Sequence, residues 1–95
     1  MDNAEHIAMR EAEVAQYDQN IALYETILAT LPAAWPARLA PFKDRRDHQQ
    51  AVTECDADDV ELLSQLLYSE QVKASIRTER LERTKAAAIL AALKA

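Results

Sequence analysis

Apolar residues in the first third of the chain recur at a spacing of seven. Four aliphatic residues lie seven apart, and three further residues follow the last three of them by three positions: Ile7, Val14, Ile21 and Leu28, then Tyr17, Tyr24 and Leu31. This is a heptad repeat, whose a and d positions form a seam that packs against another helix. It predicts a helix over about 3–31, which Pro32 ends because proline disfavours helical geometry in the preceding residue. Arg10 interrupts the d positions, so we expect the first two turns to fray or to meet an acidic partner.

The rest of the chain predicts two further helices. Three prolines lie within residues 32–41 and the chain has no glycine, which indicates a stiff, Trp/Pro-rich connector. We expect a short helix over about 41–54 and a long helix over about 57–94, which Asp56 caps. The first turns of the long helix are apolar on more than one side, which predicts contact with two neighbours. The long helix outreaches the first by about 14 Å, and we expect a partner at that overhang.

These elements predict a single all-α domain over residues 1–95. Its two long helices fold back into an antiparallel hairpin or coiled coil. The net charge of −5 is uneven, because residues 1–31 hold six acids and one base whereas residues 73–94 hold six bases and two acids. This asymmetry favours antiparallel pairing, and the acidic total argues against nucleic acid as a partner. Basic residues between Arg77 and Lys85 are expected to contact the acidic first helix or to form intrahelical pairs such as Glu79 with Arg83.

Groups that could carry chemistry are sparse. Cys55 is the single cysteine, and His6 and His48 lie far apart, so neither a disulfide nor a zinc site is expected. His48 is about two helical turns from Cys55, out of reach as an activating base. A cluster of acids resembles a calcium loop but lacks the glycine that such a loop needs, and we interpret it as helix capping: Asp56, Asp58, Asp59 and Glu61. We therefore expect no enzyme activity, no metal or cofactor and no small-molecule substrate.

The residues expected to mediate interactions are apolar. Leu63-Ser-Gln-Leu66-Leu67 matches the Leu-x-x-Leu-Leu pattern that some helices present to a groove, although burial in the core explains it more simply. Trp35 and Phe42 are expected to cover the end of the helix pair or to anchor a partner. The candidate interaction residues are the seam, the connector aromatics and their counterparts in the long helix: Ile7, Val14, Tyr17, Ile21, Tyr24, Leu28, Leu31, Trp35, Phe42, Leu63, Leu66, Leu67 and Ile76.

The pattern as a whole indicates a small coiled-coil adaptor or assembly subunit. Its expected partner is protein, either a second copy or a larger complex. The alternative is a small helical regulator of a larger enzyme or transcription factor, which would act through the Leu63–Leu67 segment or the acidic first helix. No run of about 18 apolar residues is present, so no membrane partner is expected. The expected location is the cytoplasm, with the nucleus as the alternative.

Overall fold

The protein is an elongated helical hairpin. The computed structural model describes residues 2–43 and 54–95, and in these ranges every regular element is helical. Helix α1 spans Asn3–Ala29, a 3-10 turn spans Ala40–Phe42, and helix α2 spans Ala57–Lys94. The molecule measures 60 × 22 × 19 Å with a radius of gyration of 19.2 Å, where a compact domain of this length would have about 12 Å. The predicted all-α class and the hairpin of two long helices are confirmed.

Side-chain hydrogen bonds to the backbone close both ends of helix α1. The Asp2 carboxylate accepts a hydrogen bond from the Glu5 backbone N–H at 2.8 Å, which satisfies one of the free donors of the first turn. Thr30 closes the other end, because its hydroxyl and its backbone N–H both donate to the Ile27 carbonyl. The helix therefore ends before the predicted Leu31, which directly precedes Pro32 and is disfavoured in helical geometry.

The start of α1 differs from the expected frayed or partner-bound turns. The helix is continuous from Asn3 onwards, and the polar d position is satisfied within the chain. Arg10 donates to Glu13 at 2.9 Å and to the His6 ring at 3.3 Å. Because its neighbours on the same helix neutralise the guanidinium, a regular first turn does not require an external acid.

Helix α2 is capped as predicted and dominates the shape of the molecule. The Asp56 carboxylate accepts from the Asp59 backbone N–H at 2.8 Å, and Asp58 and Asp59 lie in the first turn, where the helix dipole favours negative charge. Thirty-eight residues make a rod of about 57 Å, close to the full length of the molecule. Helix α1 is shorter by about 16 Å, so the first part of α2 extends beyond it.

The connector covers this extension. Leu39 and Phe42 are 0% and 6% exposed and form a small core with Leu63 and Leu66 of α2. Trp35 is partly buried against the same cluster, with Cys55, Leu62 and Leu67 beside it. The overhang expected to be free for a partner is thus occupied by the connector.

The third helix is shorter than predicted in the part that the structure describes. Of residues 41–54, where a helix was expected, the structure describes 41–43, which lie in or beside the 3-10 turn Ala40–Phe42, and Glu54, which is helical. Pro41 starts this turn, as its fixed backbone angle allows. Residues 44–53, which include His48, lie outside the described part of the chain.

Candidate protein interface

The predicted heptad positions form the side of α1 that faces α2. All seven are half-buried, at intervals that keep them on one side of the helix: Ile7, Val14, Tyr17, Ile21, Tyr24, Leu28 and Leu31. The facing side of α2 carries Ser69, Val72, Ile76 and Ala86, each no more than 5% exposed. No residue of α1 is itself fully buried. The seam therefore lies within one chain, and a single neighbour covers α1 only in part.

Cross-helix ion pairs establish an antiparallel register. Glu25 pairs with Arg80 at 2.8 Å, and Glu11 pairs with Lys94 at 3.1 Å. Glu11 lies fourteen residues before Glu25 in α1, whereas Lys94 lies fourteen residues after Arg80 in α2, so the two helices run in opposite directions. Between these pairs, Asp18 accepts from Arg83 and raises the pKa of that guanidinium. The acidic first helix and the basic C-terminal part of α2 contact each other in the way their charges indicated.

Two half-buried polar residues of α2 lie at seam positions. Glu79 lies seven residues from both Val72 and Ala86, and Arg83 lies seven residues after Ile76, so both share the side of α2 that carries these buried residues. The ion pair expected between Glu79 and Arg83 does not form. Glu79 instead accepts a hydrogen bond from Asn20 at 3.3 Å, while Arg83 binds Asp18. Both groups therefore find partners on α1.

The ion pairs lie along one side of the hairpin, which we call the charged flank: Glu11, Asp18 and Glu25 of α1, and Lys73, Arg77, Arg80 and Lys94 of α2. A groove of about 260 Å³ opens on this side, with Leu28 and Ile76 among its lining residues. Charged side chains also line it, from Glu25, Lys73, Arg77 and Arg80. The charged flank therefore favours solvent or polar ligands over an apolar partner.

The opposite side carries exposed apolar side chains, and we call it the apolar flank: Met9 and Leu23 of α1, Tyr68 and Ile89 of α2, and the half-buried Ile27. Leu23 lies two heptads after Met9, and Ile89 lies three heptads after Tyr68, so each pair shares one side of its helix. Leu23 is 61% exposed and Tyr68 is 46% exposed. In an antiparallel coiled coil, ion pairs on one side of the seam place these residues on the other side, where the register sets Ile89 level with residue 16, between Met9 and Leu23, and Tyr68 beyond the end of α1.

Charged residues on the apolar flank are already paired within the chain. Glu13 binds Arg10 at 2.9 Å, and Glu82 binds Lys85 at 3.2 Å. Near the middle of the flank, Gln16 donates to Asn20 at 2.8 Å. A partner that covered this side would not leave an unpaired charge buried, which is the main cost of burying ionised groups.

A polar cluster holds the connector on α2. The Trp35 ring nitrogen donates to Glu70 at 3.4 Å, Lys73 binds the same carboxylate at 3.3 Å, and Lys43 lies 4.0 Å from it. The Lys43 ammonium is also 5.9 Å from the centre of the Trp35 ring, within cation–π range. Partial burial raises the pKa of Glu70, but the hydrogen bonds from Lys73 and Trp35 outweigh it and hold this pKa below its ordinary value.

Other predicted interaction residues lie in the core. Leu63 and Leu66 are 3% and 0% exposed beneath Leu39 and Phe42, so a groove could bind the Leu63–Leu67 segment only if this core opened. The sequence did not single out Leu39, whose short connector has no periodic pattern. The exposed Met9 and Leu23 of α1 were also missed, because the heptad describes the seam and not the sides of the hairpin.

Cys55 and the acidic cluster at the start of α2 have structural roles. Burial raises the pKa of the Cys55 thiol, and the nearby acids Asp59, Glu54 and Asp56 raise it further, so little of the reactive thiolate forms. Within the acidic cluster, Asp59 binds Arg38 at 2.8 Å and ties the connector to the start of α2. Among the described residues, no three His, Cys, Asp or Glu side chains are arranged to hold a metal ion.

Comparisons with known proteins add no relative. A scan against protein-family models, a search of curated proteins and a search of solved structures each found no match. Neither α1 nor α2 contains a stretch long and apolar enough to cross a membrane.

Proposed function

We propose that this protein is a non-enzymatic helical adaptor or assembly subunit that binds protein through the apolar flank. The observation that carries this proposal is the difference between the two sides of the hairpin. One side consists of ion pairs, whereas the other exposes aliphatic and aromatic side chains. Exposed apolar groups that cluster on one face, with their charged neighbours already neutralised, are typical of a protein interface.

The shape of the hairpin supports the same proposal. No residue of α1 is fully buried, and only seven apolar side chains are buried among residues 2–43 and 54–95. A second helical layer on the apolar flank would complete a bundle of the kind in which helices pack face to face. The acidic residues of α1 support the regulator alternative less well, because Glu11, Asp18 and Glu25 already have basic partners on α2.

Site-specific photo-crosslinking in the cells from which the chain comes tests this proposal. A photoreactive amino acid replaces Leu23 on the apolar flank, and in a matched variant it replaces Leu81, which is similarly exposed at 55% but lies on the outer side of α2. We expect protein adducts from position 23 in several-fold excess over position 81. Equal labelling from both positions, or no protein adduct from position 23, would contradict the proposal.

A further inference from the structure

Acidic residues of α1 recur every seven positions along the charged flank, and each binds a base of α2: Glu11 with Lys94, Asp18 with Arg83, and Glu25 with Arg80. The next position in this series is Pro32, which carries no charge and lies beyond the end of α1. In the described residues, the cross-helix ion pairs of the charged flank therefore end at Arg80, although the bases of α2 continue towards the connector.

Arg77 is the base of the charged flank that stays unpaired. Among residues 2–43 and 54–95, every other arginine and lysine has an ion pair, whereas Arg77 has neither an ion pair nor a hydrogen bond. The register that pairs Glu25 with Arg80 places Leu28 opposite Arg77, three residues further along each helix. The residues three and four positions away on α2 carry no acid either: Lys73, Ala74, Arg80 and Leu81.

This unpaired charge lines the groove of about 260 Å³ on the charged flank. Lys73 and Arg80 line the groove from the same side of α2, and Glu25 is the one acid among its described lining residues. Glu25 neutralises Arg80, and Lys73 binds Glu70, so Arg77 supplies the uncompensated positive charge. The volume is below the range of about 300–1,000 Å³ that is usual for drug-sized ligands, which limits the occupant to a small molecule.

We propose that this groove binds a small organic acid with one carboxylate and a short apolar chain. The carboxylate accepts hydrogen bonds from Arg77, because the N–H donors of a guanidinium match two carboxylate oxygens. It thereby takes the place of the acid that the heptad series lacks after Glu25. The apolar chain packs against Leu28, Ile76 and the methylene stems of the basic side chains. A monoanion matches one uncompensated charge, whereas a second negative charge would face Glu25.

The ligand site goes beyond the proposed protein interface, because it lies on the other side of the hairpin. Photo-crosslinking from Leu23 reports the apolar flank, and ligand binding at Arg77 reports the groove. Either result can therefore fail while the other stands.

Methyl NMR of the full chain, titrated with sodium hexanoate at neutral pH and constant ionic strength, tests the site. We expect saturable shifts at Leu28 and Ile76 with a Kd of about 1 mM, which is ordinary for a ligand of this size. Hexan-1-ol has the chain without the charge, inorganic phosphate has charge without the chain, and each should bind at least about fivefold more weakly. Phosphate binding as tight as that of hexanoate would overturn the ligand class. Shifts that never saturate, or that occur at Leu23 and Ile89 instead, would overturn the site.

Three variants test the role of the unpaired charge. Arg77→Gln should weaken hexanoate binding at least about fivefold and leave the helicity seen by circular dichroism unchanged. Lys85→Gln removes the same charge outside the groove and should bind like the unmodified chain. Glu25→Gln leaves Arg80 without its acid and should tighten binding, because the groove then holds a second uncompensated charge. Equal weakening by Arg77→Gln and Lys85→Gln, or weaker binding by a fully helical Glu25→Gln, would overturn the proposal.

Discussion

Replacing Leu39 by alanine should remove a large part of the stability of the hairpin. The side chain is 0% exposed and lies in the only buried cluster that joins the connector to α2 in the described residues. Truncation removes three carbon atoms, worth about 0.8 kcal/mol each in transfer free energy, and leaves a cavity that adds to this loss. We therefore expect about 3 kcal/mol, against a total of about 5–14 kcal/mol for a chain of this length.

Denaturant unfolding measures this loss. Helicity by circular dichroism reports the whole hairpin, and fluorescence of Trp35, the single tryptophan, reports the core beside Leu39. Leu81→Ala is the matched control, because it makes the same change at a side chain that is 55% exposed and should cost no more than about 0.5 kcal/mol. If Leu39→Ala lost no more than Leu81→Ala, the packing of the connector on α2 would be refuted.

Three further changes test the seam, the ion pairs and the connector cluster. Ile21→Asp places a charge in the seam and should sharply lower the helicity seen by circular dichroism; unchanged helicity would contradict the packing of α1 on α2. Glu25→Arg should lower the melting temperature by about 4 °C or less, because the pair is exposed, and adding Arg80→Glu should restore it; no recovery would argue against the register. Because the pKa of Glu70 is lowered in the folded state, its contribution is present above the unfolded pKa of about 4.3 and is lost as the pH falls through the folded pKa. Glu70→Gln should therefore flatten the loss of stability between about pH 5 and 3, and identical acid profiles would contradict its role.

The heptad spacing predicted the paired side of α1 because side-chain periodicity depends on local geometry alone. Every residue from Ile7 to Leu31 that the repeat named is half-buried in the seam. The caps at Asp2 and Asp56 were predictable for the same reason, since each carboxylate binds a backbone N–H three residues ahead.

Features that depend on distant residues were not predictable from local pattern. Leu39 is buried because α2 extends beyond α1, which is a consequence of the two helix lengths and not of its proline-rich surroundings. The matching side of α2 was obscured because Glu79 and Arg83 stand among its apolar positions and are satisfied by Asn20 and Asp18. The apolar flank became visible only once the cross-helix ion pairs established which sides of the two helices lie together.

The central claim is that the apolar flank is the surface through which this protein associates. Methyl resonances of isoleucine, leucine and methionine in the labelled chain, followed as an extract of the source cells is added, test it most directly. We predict progressive shifts for Met9, Leu23 and Ile89, with Leu81 unchanged as the internal reference. Shifts at Leu81 with none on the apolar flank would contradict the claim, because association would then use the outer side of α2.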